Sequence, residues 1–434
     1  MGKLLIRGAD LMTMRDDTFI IHDGAIVIED DKFIFVGEEK DLPQEWEYDK
    51  IIEAKDQVIM PGMINTHTHA AMTLLRSYAD DLPLMEWLEK RIWPVEARLK
   101  AEDVYWGSMV AILEMIKSGT TCFADMYFYM DEVAKAVEES GIRGVLSHGM
   151  IGVGPNGEKD LAVGRQFCKD WEGKADGRIR TMLAPHAPYT CPPDYLRKVL
   201  EIADELKVPI HIHLCETETE IKNIKEQYGK TPIQLVDEVG LFDYPVLAAH
   251  CVHLSDKDFE ILKKAKALGI AHNPQSNMKL ASGIAPVQRM LNEGLTVGIG
   301  TDGASSNNNL NMLEEMSTAA LLQKVGTMDS TALPAGECLR MATIYGARAI
   351  GQDAELGTLE VGKKADLIIF DFSKPHLVPR HNIMAHTVYS AQSSDILTVI
   401  VNGQILMENR EVKTIDEERV LFEAERTSKE LLRR

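Results

Sequence analysis

Residues 58–69 read VIMPGMINTHTH, an apolar run of strand length that closes on two histidines, His67 and His69. Residues two apart on an extended strand point to the same side, so both imidazoles face one way while the apolar part is buried. Comparable apolar runs follow at 120–126, 144–151, 179–186, 208–214, 246–252, 269–273 and 295–301, eight in all. Segments of helical period lie between them, as at 101–117, 193–207 and 256–268. Ser255, with Asp258 three residues on, supplies an acidic variant of the capping box for the last of these. Strands and helices in alternation predict an α/β fold, a TIM-like (β/α)₈ barrel.

Nearly every run ends on a polar or ionisable side chain: His67 and His69, Asp125, His148, His186, His213 with Glu216 just beyond, His250, His272 with Asn273, and Asp302. In a parallel barrel the C-terminal ends of the strands share one rim, so residues distant in sequence gather round a single pocket. Turn chemistry does not account for the pattern, because turns favour Gly, Asn, Asp and Ser, whereas six of these runs finish on histidine.

The chain has 434 residues, and a barrel uses about 250. Strand-like pieces flank it at 3–6, 19–22, 25–28 and 33–36, with a turn expected at His22-Asp23-Gly24, and again at 365–370, 397–401 and 404–407, where Asn402-Gly403 signals a hairpin. Neither flank can bury a sheet alone. They are expected to pair into one small β-sandwich domain, 1–57 with 357–434, around a catalytic barrel at 58–356.

A hydrophobic fraction of 45% and a charged fraction of 26% are those of an average globular protein. The formal net charge of −20 repels phosphate backbones and anionic lipid, which argues against nucleic-acid and membrane partners and suits a small uncharged substrate. The amino terminus, MGKLLIRGADLMTM, has no apolar core followed by a small-residue cleavage site, so a cytoplasmic address is expected. The six cysteines are scattered without a C-x-x-C pair and are expected to be reduced and mostly buried. Analogy leaves room for a homo-oligomer.

His67 and His69, joined by His213 and Asp302 from other strand ends, offer three imidazole nitrogens and a carboxylate to one divalent transition ion. Zinc is the first choice and iron(II) also fits. An ion so held makes hydroxide available near neutral pH. Glu216 stands where the strand should turn and could carry protons; equally, it could open an acidic helix at 216–226. His250 could hold the nucleophile or be a hydrogen-bonded core histidine. His211, His253 and His272 read as ordinary core histidines.

PGMINTHTHAAM, IHLCETETE, AAHCVHL, HNPQSNMKLASGIAPVQRML and GIGTDGASSNNNLNMLEEM together resemble the amidohydrolase superfamily, specifically the 5-methylthioadenosine/S-adenosylhomocysteine deaminases, over essentially the whole chain. The resemblance implies a barrel of the metal-dependent hydrolase type and removal of the 6-amino group of an adenosine derivative to give the inosine form and ammonia. It implies metal ligands His67, His69, His213 and Asp302, a proton-handling pair in Glu216 and His250, and a second role for Asp302 as base, with Glu216 and Asp302 also meeting the substrate. In EWLEKRIWPVEARL it implies that Glu96 holds the ribose hydroxyls and Trp87 packs on the nucleoside; without it, both would read as an ordinary amphipathic helix. His186 in APHAP matches a purine contact, and no lysine at that strand end can form a bridging carbamate, so a single ion is implied. Where relatives usually carry an arginine after the third strand, this chain has His148, in VLSHGMI. A histidine does not offer the permanent bidentate contact that would suit the carboxylate of S-adenosylhomocysteine. 5-Methylthioadenosine, adenosine and 5′-deoxyadenosine are therefore expected ahead of it, unless Arg165 substitutes.

Two other readings share the barrel. A triazine-type hydrolase would displace chloride or an amine from an aromatic ring with the same ligands; Glu216 and His250 favour an amine, a poor leaving group that needs an acid. A non-catalytic scaffold would have no use for four ligands and an acid together.

Overall fold

The structure, a computed structural model, describes residues 2–16 and 19–434, so Met1 of the amino-terminal stretch lies outside the described residues. Eight strands form the barrel: β1 (Met63–Thr68), β2 (Thr120–Tyr127), β3 (Arg143–Met150), β4 (Ile179–Pro185), β5 (Ile210–Leu214), β6 (Pro245–His250), β7 (Ala267–His272) and β8 (Thr296–Ile299). They run in sequence order, and each pairs with the next in parallel. Asn65 bridges the remaining seam, between β8 and β1: its Oδ1 accepts from the Thr301 N–H at 3.0 Å and its amide donates to the Thr301 hydroxyl at 2.7 Å. The next N–H, that of Asp302, donates to the His67 carbonyl at 2.9 Å. Barrel closure therefore sets Asp302 beside His67.

One expected strand is redrawn. The run at 58–69 is two strands, because Gln57–Pro61 leaves the barrel and pairs with Leu367–Asp371 in the other sheet. Gly62 is the joint: a Cβ there would meet the Thr121 side chain at 2.0 Å, so only glycine lets the two strands part at this point. The helix expected at 256–268 stops at Leu262, and Leu268, whose apolar side chain fitted the helical period, belongs to β7. Its capping box is present as read, with the Ser255 side chain accepting from the Asp258 N–H.

The flanks meet in one nine-stranded sheet, to which Lys3–Met12, Ile20–Glu29 and Lys32–Glu38 contribute from the amino side and Leu367–Asp371, Ile396–Val401 and Gln404–Glu408 from the carboxyl side. The turn expected at His22-Asp23-Gly24 is instead a bulge inside a continuous strand, where the register shifts and Asp23 takes φ 46°. Asn402 and Gly403, at φ 52° and 75°, do form the hairpin turn. A helix not anticipated, Glu417–Arg433, is capped by Asp416 and buries Val420, Ala424, Thr427 and Leu431. It is tied to the barrel helix Ala101–Lys117 by Glu417 on Lys117 and Arg426 on Glu102, each at 2.7 Å. No helix among the described residues is long and apolar enough to cross a membrane, and all six cysteines are buried and free.

Sheet and barrel are locked by a buried ion pair. The Arg143 guanidinium, 1% exposed, donates to both Asp366 oxygens at 2.9 and 3.0 Å. Removing one member of such a pair strands the other charge, which costs about 3–5 kcal/mol. Asp366→Ala is therefore expected to destabilise the chain by about 3 kcal/mol in urea unfolding while activity per folded molecule is kept; an unchanged midpoint would count against this lock.

Candidate active site

The barrel rim bends sharply where the ionisable residues sit. Cys215, His250, Cys251 and Asp302 all take positive φ, 55°, 74°, 49° and 60°, a region costly for residues with a Cβ and found where a side chain must be aimed. On β5 the alternation of IHIHL sends Ile210, Ile212 and Leu214 into the apolar core and leaves His211 and His213 for the barrel interior.

Three imidazoles meet there. The ligand atoms of His67, His69 and His213 lie within 4.8 Å of one another, as do those of His67, His250 and Asp302. Asp302 Oδ1 is 3.5 Å from His67 Nε2 and 3.3 Å from His69 Nε2. A tetrahedral ion with bonds of about 2.1 Å holds its ligands about 3.4 Å apart, so this spacing fits a divalent metal. Ring orientation agrees. His69 Nδ1 donates to the Met126 carbonyl at 2.6 Å and His213 Nδ1 to the His186 carbonyl at 2.7 Å, which leaves each Nε2 as a lone pair. His67 Nε2 is buried without a hydrogen-bond partner, an orphan that a cation would satisfy. Its Nδ1 is 2.8 Å from His211 Nε2. His211 is thus more than a core histidine: it orients His67, and the i, i+2 spacing with His213 was the available signal.

Next to this cluster stand Glu216 and His250. Thr217 caps the helix Glu218–Tyr228, so Glu216 lies outside it and its carboxylate lines the cleft rather than a solvated helix face. Burial pushes its pKa up, His250 opposing and Asp302 adding to the rise. Its backbone is pinned by a residue the sequence reading passed over: Glu220 accepts from the Glu216 N–H at 2.8 Å and the Cys215 N–H at 3.1 Å. His250 Nδ1 donates to Asn277 Oδ1 at 2.9 Å, so its Nε2 faces Glu216 Oε2 at 3.8 Å and Asp302 Oδ2 at 3.9 Å. Ser276 donates to Asp302 Oδ2 at 2.7 Å and the Gly303 N–H to Oδ1 at 2.8 Å. Three proton-handling heads thus surround a space of atomic size beside the histidines.

The cleft above them is walled by the long β1–β2 connection, including Met72, Leu84, Trp87 and Glu96. The segment from Leu84 to Glu96 is helical but widened between Leu88 and Ile92, where Pro94 cannot supply the bond back to the preceding turn. Trp87 is buried and still forms part of the cleft wall, while Glu96 accepts from the Tyr127 hydroxyl at 2.7 Å; desolvation raises its pKa although that bond pulls the other way. His186 Nδ1 lies 2.9 Å from the Thr190 hydroxyl, which donates onward to the Ala187 carbonyl, so His186 donates there and keeps Nε2 as an acceptor. Burial and the neighbouring imidazoles push its pKa down to about 4.

Not every candidate joins the cleft. His148 opens onto an adjoining chamber, and the guanidinium of Arg165 pairs with Glu205 on the exposed side of its helix at 2.6 Å, so Arg165 cannot stand in for an arginine in the site. His272 is buried with both ring nitrogens unpartnered, and His253 Nε2 donates to the Ser282 carbonyl at 2.6 Å; neither touches the cluster.

The amidohydrolase family profile matches residues 58–406. The chain is similar to a 5-methylthioadenosine/S-adenosylhomocysteine deaminase of Desulforudis audaxviator, 57% identical over 430 residues covering 99% of each chain. It is also similar to a 5′-deoxyadenosine deaminase of Methanosarcina acetivorans, 54% identical over 436 residues covering 100% of this chain and 99% of that one. Among solved structures, an adenosine deaminase from Xanthomonas campestris with bound zinc superposes with a TM-score of 0.95 at 33% identity over 99% of each chain. Profile, length and barrel agree, and the chain belongs to the amidohydrolase family, in the branch that holds these deaminases.

Proposed function

We propose that this protein is a metal-dependent hydrolytic deaminase that converts the 6-amino group of an adenosine derivative to the inosine form and releases ammonia. The reading takes 5-methylthioadenosine, adenosine and 5′-deoxyadenosine, ahead of S-adenosylhomocysteine, as its substrates, one zinc per subunit with iron(II) as the alternative, and the cytoplasm as its place of work, without nucleic acid or membrane. The observation that carries it is the triangle of Glu216, His250 and Asp302 beside the histidine cluster, at the base of a cleft flanked by Trp87 and Glu96.

His67, His69, His213 and Asp302 would hold the ion. When bound, it lowers the pKa of water to about 7 and supplies hydroxide at neutral pH. The rest falls to the chain. Trp87 offers a flat apolar wall to the nucleoside, and Glu96 can accept from both hydroxyls of the ribose. Attack at C6 of the purine becomes favourable once the adjacent ring nitrogen is protonated. A carboxyl next to the space can supply that proton, and burial, by raising the pKa of Glu216, favours its protonated form. Asp302 Oδ2 can take the proton of the attacking water, and His250 Nε2, left as an acceptor by the Nδ1 bond to Asn277, can accept from that water and so orient it. Glu216, ionised by that transfer, can take the hydroxyl proton of the adduct as its oxygen becomes the carbonyl and pass it to the departing amine, and the proton left on Asp302 then restores the one Glu216 gave to the ring. That need for an acid favours deamination over loss of chloride from a triazine.

Zinc-loaded protein mixed with adenosine, 5-methylthioadenosine and 5′-deoxyadenosine should lose the adenine absorbance and release one ammonia per nucleoside consumed. Absence of ammonia from every adenine nucleoside, with the metal site filled, would end this reading.

A further inference from the structure

The cleft does not stop at Glu96. It opens into a second chamber with which it shares Trp93, Glu96, Phe128 and Ile151. Lining that chamber are His148, from β3, and Asp160, from the helix Gly157–Trp171. The His148 side chain is 9% exposed, and neither of its ring nitrogens has a hydrogen-bond partner; Nε2 stands 4.0 Å from Asp160 Oδ1. Asp160 is itself held in place, since its Oδ2 accepts from the Ile151 N–H at 3.3 Å and its Oδ1 is left towards the histidine. Other acids lining the chamber are already engaged, Asp131 by the Trp171 indole N–H at 2.8 Å and Glu96 by Tyr127. Lys159 is the only cation among the lining residues, and its side chain is exposed.

A buried imidazole without partners and a fixed carboxylate oxygen leave this lining unsatisfied until something polar enters. If Glu96 holds the ribose, the group that reaches past it is the substituent on the 5′ carbon. We infer that the chamber receives that 5′ substituent and selects for one ending in a hydrogen-bond donor, an amine or a hydroxyl, against one ending in a carboxylate, with Asp160 as the determinant. The inference rests on the reading of the protein as an adenosine-type deaminase and goes further by naming the substrate class. An ammonium placed beside Asp160 gains an opposite charge in a partly desolvated space, whereas a carboxylate there meets a like charge and finds no buried cation.

The test uses two 5′-thioadenosines of equal chain length, one ending in a primary amine and one in a carboxylate, beside 5-methylthioadenosine. For the unmodified protein, kcat/KM should favour the amine over the carboxylate by at least about tenfold, in line with the cost of juxtaposed like charges. Asp160→Asn keeps an oxygen for the Ile151 amide but removes the charge, and should bring that ratio to within about threefold of unity. Arg165→Ala, on the outer face of the same helix, should leave the ratio as it was and so controls for a general effect on the helix. Equal or better use of the carboxylate substrate, or an unchanged ratio in Asp160→Asn, overturns the inference while 5-methylthioadenosine turnover still upholds the deaminase. If none of the three nucleosides is deaminated, the deaminase reading fails and takes this inference with it.

Discussion

Glu216→Gln is expected to lower kcat by about a thousandfold or more, the range lost when a positioned acid–base group is removed, while the protein keeps its fold and its metal. The change is nearly isosteric, and the backbone of Glu216 is held independently by the Glu220 carboxylate, so the amide should sit where the acid sat. What disappears is the proton. Glu216 neighbours His250 but belongs to neither group of side chains that converges as a metal site, His67 with His69 and His213, or His67 with His250 and Asp302, so ion content should not change with it. Burial already lifts the Glu216 pKa, which suits a group that must be protonated before water adds and must protonate the amine afterwards. Single-turnover rates and metal analysis on the same sample provide the check. Turnover close to the unmodified enzyme would remove Glu216 from the mechanism, and parallel loss of the ion would move it into the ligand set.

The spacing of Glu216 from His213 was readable, but its freedom from the helix was not, because acidic residues also begin helices. The difference lies in Thr217, whose side chain accepts from the Glu220 N–H and starts the helix one residue too late to include Glu216. The barrel itself was legible because eight short apolar runs alternate with helical segments, and the rim because histidine is so unlike ordinary turn chemistry. What sequence concealed is of a different kind. Gly62 parts two strands by a packing constraint that no periodicity records, so one continuous apolar run became two strands in two sheets. Glu220, Asn277, Ser276 and His211 support the site through bonds to other side chains or to backbone, and each looks locally like a helix or turn residue. Partners of that sort are set by tertiary contact, and only coordinates can tell them from bystanders such as His272.

Asp302→Asn should have the larger effect of the two, because it removes two functions at once. Asp302 Oδ1 faces the Nε2 atoms of His67 and His69, where its negative charge would help hold a cation, and Oδ2 carries the Ser276 bond on the side that faces His250. An amide in the same place brings a donor where lone pairs converge: its NH₂ can hydrogen-bond directly to an imidazole and so compete with the ion for it. It also cannot take a proton from water. Loss of the base together with weakened metal binding is expected to cut kcat/KM by about ten thousandfold or more. The two contributions separate on adding excess zinc, which should restore occupancy on the three remaining imidazoles but leave kcat depressed by at least about a hundredfold, the lower end for a lost acid–base group. Full recovery with zinc would reduce Asp302 to a ligand without a role as base. Activity within tenfold of the unmodified enzyme and no added zinc would mean that the aspartate beside the seam of the barrel is there to close the fold and that the chemistry is carried elsewhere.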